Sequence, residues 1–250
     1  MRRAAQTSLD INVFDTPELV ARGLARRIAA ALRDRPSLVL GLATGRTPVT
    51  TYAELRRMYA AGDVSFSKAS TFNLDEFVGI GTAHPGSFRR YMHRHLFDGI
   101  DLRPERIHFL DGTAPDLEAE CERYEREIET AGGIDLQILG IGANGHIGFN
   151  EPGDELIART HHATLHEATR RDNAELFGGD PEQVPREALS MGMGTILRAS
   201  TLILVAKGKR KARCIERTVH GPLTTRLPAS FLQTHRHVEL YLDREAASSL

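Results

Sequence analysis

The strand-like run Ile134-Asp135-Leu136-Gln137-Ile138-Leu139 leads directly into Gly140–Gly153, which reads GIGANGHIGFNEPG. The first six residues have the length, apolar content and β-branching of a strand. Beyond Leu139 the glycines crowd together and Pro152 follows, so neither a helix nor another strand continues easily. Asn144, His146 and Glu151 sit among those glycines. An amide, an imidazole and a carboxylate are thus delivered together at a strand end, on a backbone that permits close approach of a ligand. Ligands bind at the carboxyl ends of strands in open α/β sheets, so this segment is read as half of an active site.

Two plainer readings compete with that one. A lone loop histidine is more often a satisfied structural group than a catalyst. Gly140-x-Gly142-x-x-Gly145 also has the spacing of a dinucleotide fingerprint and follows a strand. That fingerprint needs a helix to open at once, with its N-terminus facing a pyrophosphate. Here His-Ile-Gly-Phe-Asn-Glu-Pro follows, which is poor helix, and no nicotinamide cofactor is expected.

Outward from this segment, strands and helices alternate. Leu9–Phe14 alternates apolar and polar as a half-buried strand does, and Asp15-Thr16-Pro17-Glu18 opens a helix. Ser37–Leu42 is a continuous apolar run, typical of a strand covered on both faces. It breaks at Thr44-Gly45-Arg46-Thr47-Pro48 before a helix over 50–61. That turn offers backbone N–H groups and hydroxyls to a phosphate, although TGRTP lacks the ending of a Walker motif. Ala69–Leu74 predicts a third strand running into Asp75-Glu76, where one carboxylate can face a crevice while its neighbour turns away. Helices are expected over 87–97 and 116–130, with a short strand at 107–110 between them. Leu202–Ala206 is a second continuous apolar strand, followed by the basic cluster 207–211, and a final strand covers 237–242. The polar, weakly periodic segment 154–185 is read as a lid, and 185–195 as a break before a helix. The pattern predicts an α/β fold: a single domain over 1–250, with one doubly wound, mainly parallel sheet and helices on both faces.

Bulk properties narrow the partners. The 32 basic and 33 acidic residues are spread along the chain, which argues against nucleic acid or a membrane surface. No apolar run approaches the roughly 20 residues of a membrane-spanning helix, and Met1–Thr7 does not read as a secretory leader. Two cysteines far apart suggest a reduced, cytoplasmic protein. The 11 histidines include no HExxH, and no metal is expected.

Three motifs stand at strand ends: LATGRTP (42–48), TFNLDEF (71–77) and GANGHIGFNEPG (142–153). Together with DGTAPDLEAEC, SMGMGT and LPAS they resemble the glucosamine-6-phosphate deaminase family over nearly the whole chain. The resemblance implies a Rossmann-like fold of the sugar-phosphate isomerase type, an aminosugar phosphate as substrate, and no cofactor. It implies catalytic roles for Asp75 (proton transfer between C2 and C1), His146 (ring opening), Glu151 (orienting and balancing His146) and Asn144 (fixing the imidazole). Thr44, Gly45, Arg46, Thr47 and Lys211 would bind substrate and phosphate. Oligomeric state stays open between monomer and homo-oligomer, and the short tail after residue 242 leads us to expect no activation by N-acetylglucosamine 6-phosphate.

Two positions depart from the family pattern. Many members carry Asp where Asn144 stands, so Glu151 should supply the relay's negative charge. The family typically places an arginine for the phosphate where Glu175 stands, so either Glu175 points away or the substrate differs, and Arg46 is the replacement cation expected beside Lys211. The same fold also serves 6-phosphogluconolactonases, and a binding-only sugar-phosphate sensor is the alternative outside catalysis.

Overall fold

The computed structural model describes residues 9–250; the leader reading at Met1–Thr7 lies outside them. Seven parallel strands form the main sheet: β1 (Leu9–Phe14), β2 (Val39–Leu42), β3 (Ser70–Asn73), β5 (Ile107–His108), β6 (Leu136–Leu139), β9 (Thr201–Ala206) and β10 (Val238–Asp243). Their spatial order is β1-β10-β9-β6-β2-β3-β5. From β2 the chain steps outward to β3 and β5, then returns to the other side of β2 and continues through β6, β9 and β10. The strand order therefore reverses between β2 and β6, which opens a crevice at their carboxyl ends.

Both faces of this sheet are covered, as continuous apolar strands require. In β9, Ile203 and Val205 join one apolar cluster and Leu202 and Leu204 the other. The first cluster takes Val20, Leu24 and Ile28 from α1 (Pro17–Asp34) and Tyr52 and Leu55 from α2 (Val49–Ala60). The second takes Tyr124 and Ile128 from α4 (Leu117–Thr130) and Ile215 from α7 (Ala212–His220). Helix starts follow local chemistry: Thr16 Oγ1 accepts from Leu19 N with Pro17 in the first turn of α1, and Asp116 accepts from Ala119 N at α4.

One sheet was expected and there are two. A small antiparallel sheet joins β4 (Asp75–Phe77), β8 (Glu187–Ser190) and β7 (His161–Thr164), with β8 in the middle. Asp75 lies opposite Ser190 in its ladder. The segment read as a lid thus contains a strand and α5 (Glu167–Asn173), and the break read at 185–195 contains another strand before α6 (Met193–Leu197). Neither His-His-Ala-Thr nor Glu-Ala-Leu-Ser carries the alternating apolar pattern that marks a strand by itself. Their pairing comes from neighbours, as strand formation commonly does.

Candidate active site

The segments leaving β2, β3, β6 and β9 enclose a cavity of about 380 Å³ at the point where the strand order reverses. Asp75 and His146 both line it, as do Thr44, Gly45, Arg46, Thr47 and Lys211. Asn144 and Glu151 stand behind His146 rather than on the cavity wall.

At the glycine-rich loop the backbone folds around the imidazole. Gly142 N donates to the His146 carbonyl at 3.0 Å. A Cβ on Gly142 would come within 2.3 Å of the His146 ring, so glycine there is a space requirement. Nδ1 of His146 is buried 3.5 Å from Glu151 Oε2, an ion-pair distance beyond a good hydrogen bond, which leaves Nε2 as the nitrogen able to meet a ligand. Asn144 does not touch the imidazole, contrary to expectation. Its Oδ1 accepts from the His146 backbone N–H at 3.1 Å and its Nδ2 donates to Glu151 Oε2 at 3.0 Å. The amide therefore shapes the turn and positions the carboxylate.

Glu151 also accepts from Thr169 Oγ1 and lies 3.6 Å from His166 Nδ1. Burial alone would raise its pKa, but His146, Thr169 and Asn144 outweigh that and hold it at about 2. The group is an anion across the working range of proteins.

Asp75 has the opposite environment. It is buried, its Oδ1 has no hydrogen-bond partner, and burial together with the neighbouring Glu76 lifts its pKa to about 8. An unpartnered carboxyl oxygen at the edge of a cavity is poised for proton transfer rather than for structure. Glu76 turns away, as one member of the pair was expected to. Its oxygens accept from Ser87 Oγ (2.8 Å) and from the backbone N–H groups of Phe77 (2.9 Å), Phe88 (2.9 Å) and Arg89 (3.0 Å). It thereby closes the N-terminus of α3 (Phe88–His95). Burial raises its pKa while those four donors oppose the rise.

The far end of the cavity is built for an anion. Gly45 has φ +92°, a conformation that glycine adopts freely, and its carbonyl accepts from Tyr91 Oη at 2.6 Å. Ala43 O accepts from Tyr52 Oη at 2.5 Å, so the turn is pinned from two sides. It leads into α2, whose start has no side-chain cap, leaving backbone N–H groups available. Burial lowers the Lys211 pKa, partly offset by Asp172. Glu175 does not point away: it lines the cavity, with Oε1 3.6 Å from Arg46 Nη1. A second, basic cavity of about 520 Å³ adjoins through Arg46, Thr47, Asp172 and Lys211 and adds Lys207, Lys209 and Arg210.

Several participants carried no signal in the sequence. Thr169 and Asp172 come from α5 and His166 from its N-cap, and Tyr91 and His95 come from α3. The helical spacing of Tyr91 and His95 was the one available clue. Among the described residues no group of three or more His, Cys, Asp or Glu is placed to hold a metal ion.

Residues 15–241 match the family described as glucosamine-6-phosphate isomerases/6-phosphogluconolactonase. Glucosamine-6-phosphate deaminase 2 of Bacillus subtilis is 50% identical over 224 residues, covering 89% of this chain and 90% of that protein. A glucosamine-6-phosphate deaminase of Rhodopirellula baltica is 48% identical over 242 residues, covering 97% and 96%. Among solved structures, a monomeric glucosamine-6-phosphate deaminase superimposes with TM-score 0.93 at 42% identity over 96% of this chain and 100% of that one. The 6-phosphogluconolactonase of Thermotoga maritima shares the fold with TM-score 0.73 at 20% identity, over 94% and 100%.

Proposed function

The chain belongs to the glucosamine-6-phosphate isomerase/6-phosphogluconolactonase family, and from that premise we propose that it is the deaminase of the pair, converting glucosamine 6-phosphate and water to fructose 6-phosphate and ammonia. The observation that carries this reading is the placement of Asp75 and His146 on one cavity wall system. A lactonase or a binding-only sensor has no use for a base at a sugar C2. Relatives 46–50% identical are named as deaminases, whereas the lactonase structures share about a fifth of their residues and speak to fold alone.

His146 Nε2 takes the anomeric hydroxyl proton and returns one to the ring oxygen, opening the pyranose. Glu151, ionised behind Nδ1, holds the ring in place and stabilises the imidazolium formed in passing. The exposed aldehyde acidifies C2. Asp75 removes the C2 proton, and the C1 oxygen takes up the proton that the C2 ammonium gives up as the C1–C2 double bond of the enolamine forms. The same carboxyl returns its proton to C1 to leave the ketimine at C2. Water then adds to the ketimine carbon at C2 and ammonia leaves. Asp75 must be ionised for the first transfer. The substrate's ammonium group at C2 supplies the opposite charge that draws its pKa down from about 8 on binding. The phosphate lies in the Thr44–Thr47 turn with Arg46 and Lys211.

The decisive assay measures ammonia and fructose 6-phosphate from glucosamine 6-phosphate. Equal amounts of both support the reading, and hydrolysis of 6-phosphogluconolactone without ammonia release overturns it. The chain is proposed to act as a monomer with 1–250 as one domain, for which sedimentation and a single unfolding transition are the checks. Free Cys121 and Cys214 fit a reducing cytoplasm, which cell fractionation tests.

A further inference from the structure

Arg46 and Glu175 face one another across the distal end of the cavity at 3.6 Å, with no hydrogen bond between them and with side chains 70% and 74% exposed. An ion pair that open to water is weak and exchangeable. Glu175 belongs to the turn Ala174–Phe177 that follows α5. Phe177 anchors that turn by setting its ring edge-on to Phe77 at 5.3 Å. The backbone of Glu175 is therefore held beside the cavity while its side chain stays free to rotate. Asp172, one helical turn earlier, also lines the cavity and sits within electrostatic reach of Lys211. Two cations thus meet two carboxylates, and the anion subsite has no net charge before a ligand arrives.

Resting on the deaminase reading above, we propose that Glu175 is a specificity-determining residue, an internal counter-ion that occupies Arg46 in the open cavity and must yield it to the substrate's phosphate. A phosphorylated sugar has to displace this carboxylate, while a sugar with a neutral C6 hydroxyl does not. Glu175 accordingly weakens the preference for the phosphorylated substrate and sets a high KM for it.

The test compares the wild-type chain with Glu175→Gln and Glu175→Arg. Three quantities are read: KM for glucosamine 6-phosphate, the competitive inhibition constant of inorganic phosphate, and turnover of unphosphorylated glucosamine. Removing one exposed carboxylate from an anion site lowers the first two together by about two- to fivefold. Glu175→Arg lowers them further, and the glucosamine rate does not rise in either variant. Unchanged constants overturn the proposal, and so does a rise in KM, which would make Glu175 a direct substrate contact. Calorimetric titration of each protein with inorganic phosphate gives the same comparison without turnover. If the wild-type chain releases no ammonia, the deaminase reading fails on its own, and the titration still judges Glu175.

Discussion

Two carboxylates of opposite character divide the work at the site. Glu151 is surrounded by donors and held near pH 2, whereas Asp75 has an oxygen without a partner and holds its proton to about pH 8. Asn144 explains part of the first environment. Its amide donates to Glu151 at 3.0 Å, where an aspartate would set a second negative charge against the first. The second environment has a cost that can be measured. The folded chain keeps the Asp75 proton up to about 8, while the unfolded chain loses it near the usual 3.8. Between those values the unfolded state binds fewer protons, so stability falls as pH rises, from its full value below 3.8 to its lowest above 8. Asp75→Asn removes that dependence. We expect the variant to be more stable than wild type by on the order of 2 kcal/mol at pH 8, with the difference shrinking toward pH 4. Turnover should fall at least about 10³-fold, since one group makes both proton transfers. Denaturant titrations at several pH values and the ammonia assay check both halves. A variant no more stable at pH 8 than at pH 5 would show that Asp75 is not strained by burial.

The elements most readable from sequence were those whose own residues dictate them. β2 and β9 are continuous apolar runs, α1 and α4 carry caps and early acidic residues, and the glycine-rich loop announces itself by composition. Asp75, His146 and the Thr44–Thr47 turn were legible because each follows such a strand. The small sheet was not, because β7 and β8 are polar or small and become strands only through one another and β4. The partners on α5 were hidden for the same reason, since nothing local says that Thr169 meets Glu151. Glu76 shows how one element places another. Its carboxylate ties β4 to the start of α3 through three donors there, Ser87 Oγ and the N–H groups of Phe88 and Arg89, and β4 carries Asp75 into the cavity. Glu76→Gln keeps the shape but turns an NH₂ toward groups that are themselves donors. The expected loss is about 2–3 kcal/mol of stability. A fall in kcat larger than the fall in KM-based affinity should accompany it, as the Asp75 strand loosens. Thermal unfolding and steady-state kinetics measure the pair, and an unchanged melting temperature would remove Glu76 from this role.

At the scale of the whole molecule, charge is nearly balanced, with formal net charge −1 at pH 7. A long-range pull on an anionic substrate is therefore not expected from net charge, yet the local distribution says otherwise. Lys207, Lys209 and Arg210 line a basic cavity that opens beside the anion end of the active site and shares Arg46 and Lys211 with it. Asp172 and Glu245 also line it, so its five cations leave a local positive excess rather than a single sign of charge. A cleft with such an excess raises association rates beyond what the total charge implies. Lys207 is partly engaged, donating to Thr50 Oγ1 at 3.0 Å, which leaves Lys209 and Arg210 as the outer pair. Screening shortens such fields to about 10 Å at 0.1 M salt. We expect kcat/KM for the sugar phosphate to fall severalfold between about 0.01 and 0.3 M sodium chloride, with kcat almost constant. The double variant Lys209→Ala/Arg210→Ala should start lower at low salt and show a flatter dependence, meeting the wild-type curve at high salt. Parallel curves would mean that the second cavity plays no part in substrate capture. A drop in kcat itself would mean that these side chains reach the reacting sugar, which their place beyond the Arg46–Lys211 boundary argues against.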